Sequence, residues 1–236
     1  ATAQNPIVQT WYTTDPAPMV YGDKMYVYTG HDEDKADFFW MNEWRVYSSS
    51  DMVNWTDHGS PIDLSSFTWA DDRAWASQCI QRDGKFYWYI CAHSKITNAM
   101  AIGVAVADSP TGTFRDAIGR PLADGNWAYI DPTVFIDDDG QAWLYWGNPE
   151  VYYVKLNRDM ISCNGEVQKM EMTEEGFGAP APKLRQKDVK YKDSYVEGPW
   201  MMKRNKQYYL LYAAGGIPEH ISYSTAPTPS GPWTYR

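Results

Sequence analysis

The chain has 236 residues, 44% of them hydrophobic and 22% charged, enough to bury a real core as one large domain or two small ones. Its formal net charge of −9 repels phosphate backbones and anionic lipid, which argues against nucleic acid and membrane surfaces as partners. Aromatic residues reach 16%, with 12 Trp and 18 Tyr, a composition suited either to an all-β core or to ligands with flat apolar faces edged by hydroxyls, as sugars have.

In chain order, four segments repeat one pattern: a start motif, an apolar strand, a tight turn and an aromatic-rich strand. The first opens at Asp15-Pro-Ala-Pro and turns at 22–24 into Met-Tyr-Val-Tyr. The second opens at Trp75-Ala-Ser-Gln and turns at Asp83–Gly84 into Phe-Tyr-Trp-Tyr. The third opens at Asp131-Pro-Thr-Val-Phe, turns at 137–140 and continues as Ala-Trp-Leu-Tyr-Trp. The fourth opens at Glu197-Gly-Pro-Trp and turns at 204–206 into Tyr-Tyr-Leu-Leu-Tyr. Third strands follow each hairpin, and the starts near 15, 75, 131 and 197 lie 60, 56 and 66 residues apart. Sheets of three or four strands at this spacing predict an all-β fold of β-propeller blades, with very little helix; a β-sandwich fits four similar units less well.

Cys79 and Cys91 flank the Asp83–Gly84 turn. A hairpin setting 82 opposite 85 places 79 opposite 88 and 91 opposite 76, so the thiols stand about 10 Å apart along the strand, beyond disulfide reach. They and Cys163 read as free, small, buried residues. No stretch approaches the roughly 20 apolar residues of a membrane span. The chain starts at Ala1 without Met or a leader, as a mature secreted (or periplasmic) protein or a trimmed piece would.

Three of the four starts open with an acid, at Asp15, Asp131 and Glu197. In a propeller the first strand of each blade lines the central channel, so equivalent positions converge at one mouth. Gathered carboxylates raise one another's proton affinity unequally, which is what an acid/base pair needs. The same acids also precede Pro or Gly-Pro, where acids open turns, so periodicity alone supports both readings. Asp137–Asp138–Asp139–Gly140 lacks the alternating ligands and distal Glu of a calcium loop and reads as a solvated turn. His31, His58, His93 and His220 lack zinc-ligand spacing, so no metal ligands are assigned. His31 and His220 follow second strands and either border the pocket or pack; His58 and His93 read as structural. Trp40, Trp44 and Trp69 lie in long loops and either hold a polysaccharide chain or anchor those loops. Phosphate-loop and Gly-x-Ser-x-Gly motifs are absent.

The segments Asp15-Pro-Ala-Pro, Trp75-Ala, Ser109-Pro-Thr-Gly, Asp131-Pro-Thr-Val-Phe and Tyr195-Val-Glu-Gly-Pro-Trp200 resemble glycoside hydrolase family 43 through nearly the whole chain. The resemblance implies a five-bladed propeller, with Asp15 as general base, Asp131 as the acid that orients and tunes its partner, Glu197 as general acid and Trp75 as a wall of the sugar pocket. His31, His220 and Trp69 are further candidates for the substrate side. Residues 28–33 and 213–220 look like the branch that removes α-L-arabinofuranosyl groups from arabinoxylan; an exo-β-xylosidase and a non-catalytic carbohydrate-binding propeller are the alternatives. Inverting chemistry is expected, with base and acid about 6.5–9.5 Å apart. The implied partner is plant cell-wall polysaccharide. No cofactor is required, although the resemblance allows a structural calcium in the channel. On this reading residues 1–236 are a single catalytic domain lacking the family's fifth blade, which a complementary chain or segment would supply.

Overall fold

The computed structural model describes residues 5–179, 194–216 and 218–236, so Ile217 of the 213–220 stretch lies outside the described residues. It divides into two compact units, Ala1–Ile130 and Asp131–Arg236, each carrying two antiparallel sheets.

In the first unit, blade 1 runs Thr13–Tyr21, Lys24–His31 and Glu43–Ser49 as hydrogen-bonded neighbours, with two-residue strands Thr56–Asp57 and Ile62–Asp63 on the outer edge. Blade 2 runs Ser77–Arg82, Lys85–Ser94 and Ala99–Ala107, with Ala70–Asp72 also pairing the middle strand. In the second unit, blade 3 is Thr133–Ile136, Ala142–Trp146, Tyr152–Leu156 and Cys163–Lys169. Blade 4 is Tyr195–Arg204, Gln207–Ala214, His220–Ala226 and Thr234–Tyr235. Helix among the described residues is limited to the turns Leu64–Ser66 and Glu174–Phe177.

Turn chemistry sets these registers. Asp83 and Gly84 both take positive φ, 50° and 79°, as a two-residue hairpin turn requires. Arg82 pairs Lys85 and Cys79 pairs Trp88, the expected register, and none of the three cysteines is disulfide-bonded. Cys79 and Cys91 are buried; Cys163 is only half-buried, because its strand is the outer edge of blade 3.

Each unit has its own aromatic core, and burying a large apolar side chain contributes about 1.5–3 kcal/mol. In the first, Tyr28 meets Trp88 edge-on at 4.7 Å and donates from its hydroxyl to Pro110 O at 2.8 Å, tying blade 1 to blade 2. In the second, Tyr145, Phe177, Tyr195, Leu210 and Tyr212 form one buried cluster. Blade 3 is also tied to blade 4 by charge. Lys203 Nζ pairs with Asp137 Oδ1 at 2.6 Å and Asp138 Oδ2 at 2.7 Å, and Tyr208 donates to Asp137 Oδ2 at 2.6 Å. The acidic turn expected to be merely solvated is thus an inter-blade clasp.

Trp69, expected on the substrate side, is instead 2% exposed. Its indole donates to Asp116 Oδ2 at 3.1 Å, and its ring lies where a Cβ on Gly103 would meet Cζ2 at 2.5 Å. Trp44 is likewise sealed, donating to Trp75 O at 2.6 Å. Trp44, expected in a loop, lies in the strand Glu43–Ser49, and of the three tryptophans only Trp40 is exposed, at 41%.

Candidate active site

The first unit presents Asp15, His31 and Trp75. Asp15 is exposed on the first strand of blade 1, within an irregularity between Thr14 and Ala17, and its φ is 50°. A left-handed non-glycine costs roughly 1–2 kcal/mol and persists only where its surroundings over-determine it. Thr13, two residues earlier, pairs with His31. His31 is buried edge-on against Trp11 at 5.1 Å, with Nδ1 3.1 Å from Glu43 Oε1 but outside hydrogen-bond geometry. Glu43 is also held by Arg45 at 2.7 Å, whose guanidinium lies 4.1 Å over the Trp11 ring. His31 therefore belongs to a packed cluster one strand away from Asp15.

Trp75 is half-buried, and its indole donates to Phe39 O at 2.8 Å. It is one of four rings around a single guanidinium. Arg73 lies 5.7 Å from Trp75, 5.5 Å from Trp127, 5.8 Å from Trp40 and 6.0 Å from Phe38. Trp127 is more than half exposed, as is Phe39, which meets Phe38 edge-on at 5.3 Å, so the cluster and its neighbour offer apolar faces to solvent. Arg73 and Trp127 carried no signal in the sequence; only the fold brings loop 38–40, Arg73 and Trp127 together.

The second unit presents Asp131 and Glu197. Asp131, half-buried with φ 60°, accepts from Gly198 N at 3.0 Å through Oδ2. Gly198 itself has φ 62° and precedes Pro199, just as Asp15 and Asp131 precede Pro16 and Pro132. By backbone conformation the repeat therefore aligns Asp15, Asp131 and Gly198, and Glu197 stands one residue earlier. Register shifts on both sides of Glu197 accommodate that offset. Glu197 Oε2 accepts from Asn148 Nδ2 at 2.6 Å. Asn148 follows Gly147, where φ is 131° and a Cβ would stand 1.9 Å from Glu150 O, so only glycine fits that turn. Beneath the acids, Tyr195 donates to Gly147 O at 2.5 Å. Burial, reinforced by Asp131 and Glu197, holds its phenol well above the usual tyrosine range, so it stays a neutral donor.

A cavity of about 400 Å³ opens beside Glu197, lined by Gly198, Trp200, Ala213, Glu219 and His220 among others. His220 thus borders a pocket. Partial burial and the neighbouring Glu197 carboxyl raise the proton affinity of Glu219 above the ordinary glutamate value. Sequence reasoning passed over Asn148 and Glu219, since neither stands at a repeat start. Among the described residues no group of three or more His, Cys, Asp and Glu side chains is arranged to hold a metal ion.

A family profile described as "Glycosyl hydrolases family 43" matches residues 3–236. The chain is 31% identical over 250 residues to a β-D-galactofuranosidase, xynD, of Aspergillus niger, covering 98% of this chain and 66% of the relative. It is 30% identical over 286 residues to an arabinoxylan arabinofuranohydrolase of Bacillus subtilis, covering 98% of this chain and 50% of that protein. It thus spans about two thirds of the first relative and half of the second. Among solved structures it resembles CoXyl43, a β-xylosidase/α-arabinofuranosidase from a compost microbial metagenome in complex with xylotriose. The TM-score is 0.82 at 29% identity, over 100% of this chain and 80% of that one.

Proposed function

We propose, from the premise that this chain belongs to glycoside hydrolase family 43 and has its β-propeller fold, that it hydrolyses α-L-arabinofuranosyl branches of arabinoxylan-type hemicellulose. The observation that carries this reading is the built environment of Glu197: a half-buried carboxyl with an aimed amide donor, followed by an amide that the Asp131 carboxyl anchors. A solvated turn needs none of these.

In the proposed reaction Glu197, as carboxylic acid, donates its proton to the leaving oxygen as the anomeric C–O bond breaks. Asp15, as carboxylate, takes a proton from the attacking water, giving inversion. Asp131 anchors the Gly198 amide and so fixes the backbone that carries Glu197. Asn148 orients the Glu197 carboxyl. The left-handed backbone at Asp15 and Asp131 is the strain expected where position matters more than stability. Names of relatives also support furanose substrates: both galactofuranosidase and arabinofuranohydrolase act on five-membered rings. The xylosidase/arabinofuranosidase name of the structural neighbour keeps β-xylosidase as the second reading.

The test is sugar release from wheat arabinoxylan and from xylobiose, with the anomer of the first product followed by NMR. Arabinose from the polymer with inverted configuration supports the proposal. Xylose from xylobiose alone moves the assignment to β-xylosidase, and a retained anomer removes Asp15 as base.

A further inference from the structure

Tyr195 has no part in the proposed reaction, yet its hydroxyl reaches the turn that carries Asn148. It stands two residues before Glu197 on the first strand of blade 4 and is 4% exposed. Phe177 meets its ring edge-on at 6.3 Å and Tyr212 lies 5.1 Å away, so the ring is fixed in the core of the second unit. From there the hydroxyl donates to Gly147 O at 2.5 Å, and at the next residue Asn148 Nδ2 donates to Glu197 Oε2 at 2.6 Å. Blade 4 therefore holds two successive residues of one turn with two side chains of one strand. Tyr195 pairs with Ala214 and Glu197 with Ala213, so the strand carries an extra residue between them. Such a bulge re-aims side chains, and here both reach the same turn. From this geometry we infer that Tyr195 is a positioning residue: it fixes the Gly147–Asn148 peptide and, through the Asn148 amide, sets where the Glu197 carboxyl stands.

The inference rests on Glu197 being the general acid. The Gly147 carbonyl and the Asn148 nitrogen belong to one planar peptide group, so a hydrogen bond to that oxygen fixes the plane from which the Asn148 side chain departs. Without it the turn is free at its first residue, because Gly147 sits at φ 131° and glycine has the most freedom to leave such a conformation. The far end of the turn is held separately. Lys169 Nζ lies 2.5 Å from Glu150 Oε1, and the Tyr152 hydroxyl donates to Glu150 Oε2 at 2.9 Å. Tyr195 holds the near end, where Asn148 sits. A buried phenol needs an acceptor in any case, and any core carbonyl meets that need. Tyr145 of the same cluster does so by donating to Pro229 O at 2.9 Å, in a loop that carries none of the proposed site residues. Tyr195 instead takes the carbonyl next to the amide that holds the acid.

The experiment measures kcat and KM for parent, Y195F, N148A, Y195F/N148A, Y145F and E197Q, with the Tm of each and rates taken below the lowest of them. Substrates are arabinoxylan and 4-nitrophenyl α-L-arabinofuranoside, whose leaving group needs no proton. Phenylalanine keeps the ring packed against Phe177 and Tyr212, so Y195F removes only the hydroxyl. Y195F is expected to lower kcat on arabinoxylan about five- to tenfold with KM within about twofold, a fraction of what a placed proton donor contributes. On the nitrophenyl substrate the change should stay below about twofold. In the N148A background the loss of the hydroxyl should cost less than about twofold, since its effect runs through the missing amide. Y145F removes a hydroxyl of the same kind from the same cluster; it should lower Tm to a similar degree and leave kcat on both substrates at the parent level. Losses in Y195F that add in full to those of N148A overturn the route through Asn148. Equal losses on both substrates, or a loss matched by Y145F, make Tyr195 a structural residue and overturn the inference. Parent-like kinetics of Y195F while E197Q is inactive on arabinoxylan overturn the positioning role alone. Full activity of E197Q on both substrates overturns the acid assignment itself, and the inference with it.

Discussion

Asn148 Nδ2 stands 2.6 Å from Glu197 Oε2, an amide donor held against the proposed acid. Gly147 makes that approach possible, because the backbone of Glu150 returns so close that any side chain at 147 would displace it. The hydrogen bond fixes which oxygen of Glu197 remains free for the leaving group. N148A is therefore expected to lower kcat on arabinoxylan by about 10- to 100-fold, with KM changed less than threefold, since a positioned proton donor contributes about that much. Steady-state kinetics on the polymer measure it; a KM effect with kcat intact would make Asn148 a substrate ligand instead.

The blades and the hairpin register around 83–84 were legible in the sequence, because each depends on local turn chemistry or on a repeat. Asn148 was not legible, since it gains meaning only from a side chain 49 residues away in the chain. Trp69 was misread for a related reason. A tryptophan in a long loop looks like a ligand platform until the glycine that receives it is known, and Gly103 lies in a strand whose apolar run gives no sign of a ring stacked on it. The Asp137 clasp was missed because its partners, Lys203 and Tyr208, belong to the next blade.

The ring cluster around Arg73 has outward faces large enough for pyranose or furanose rings, and a neutral polymer suits a protein of net charge −9 better than an acidic one does. F39A and W127A remove the more exposed faces without touching a carboxylate. Each should raise KM for arabinoxylan about three- to tenfold, in line with roughly 1 kcal/mol per ring contact. Activity on 4-nitrophenyl α-L-arabinofuranoside should stay within twofold. Equal effects on both substrates would place these rings in the sugar pocket rather than along the chain.

Asp137 supplies a pH-dependent contribution to stability. Burial alone would raise its proton affinity, but hydrogen bonds from Lys203 and Tyr208 outweigh that and hold the carboxyl below its ordinary value of 3.8. A depressed folded-state value stabilises the native state above the unfolded-state value, and the contribution is lost as pH falls through the folded-state value. The clasp should therefore act fully at neutral pH and fade below about pH 4. Thermal unfolding followed by circular dichroism should give K203M a lower Tm than the parent at pH 7, with the gap narrowing as the pH falls below about 4. A gap independent of pH would assign the loss to packing of the lysine stem instead.

Gly103 carries the sharpest stability prediction. Its backbone is ordinary, so alanine faces no conformational penalty there; the obstacle is space. A Cβ would lie 2.5 Å from Trp69 Cζ2 and 3.3 Å from Ile90 Cδ1. Trp69 has little room to retreat, because its indole nitrogen is held by Asp116 and its ring meets Phe67 at 5.4 Å. Overpacking a sealed core costs about 1–3 kcal/mol, so G103A should lower Tm by roughly 3–10 °C in a chain of this size. The second substitution W69F shortens the ring that collides. If the clash is the cause, G103A in the W69F background should cost less than half of what it costs in the parent. Additive losses in the double variant would mean that alanine disturbs the strand itself, and that Trp69 is not what requires glycine at 103.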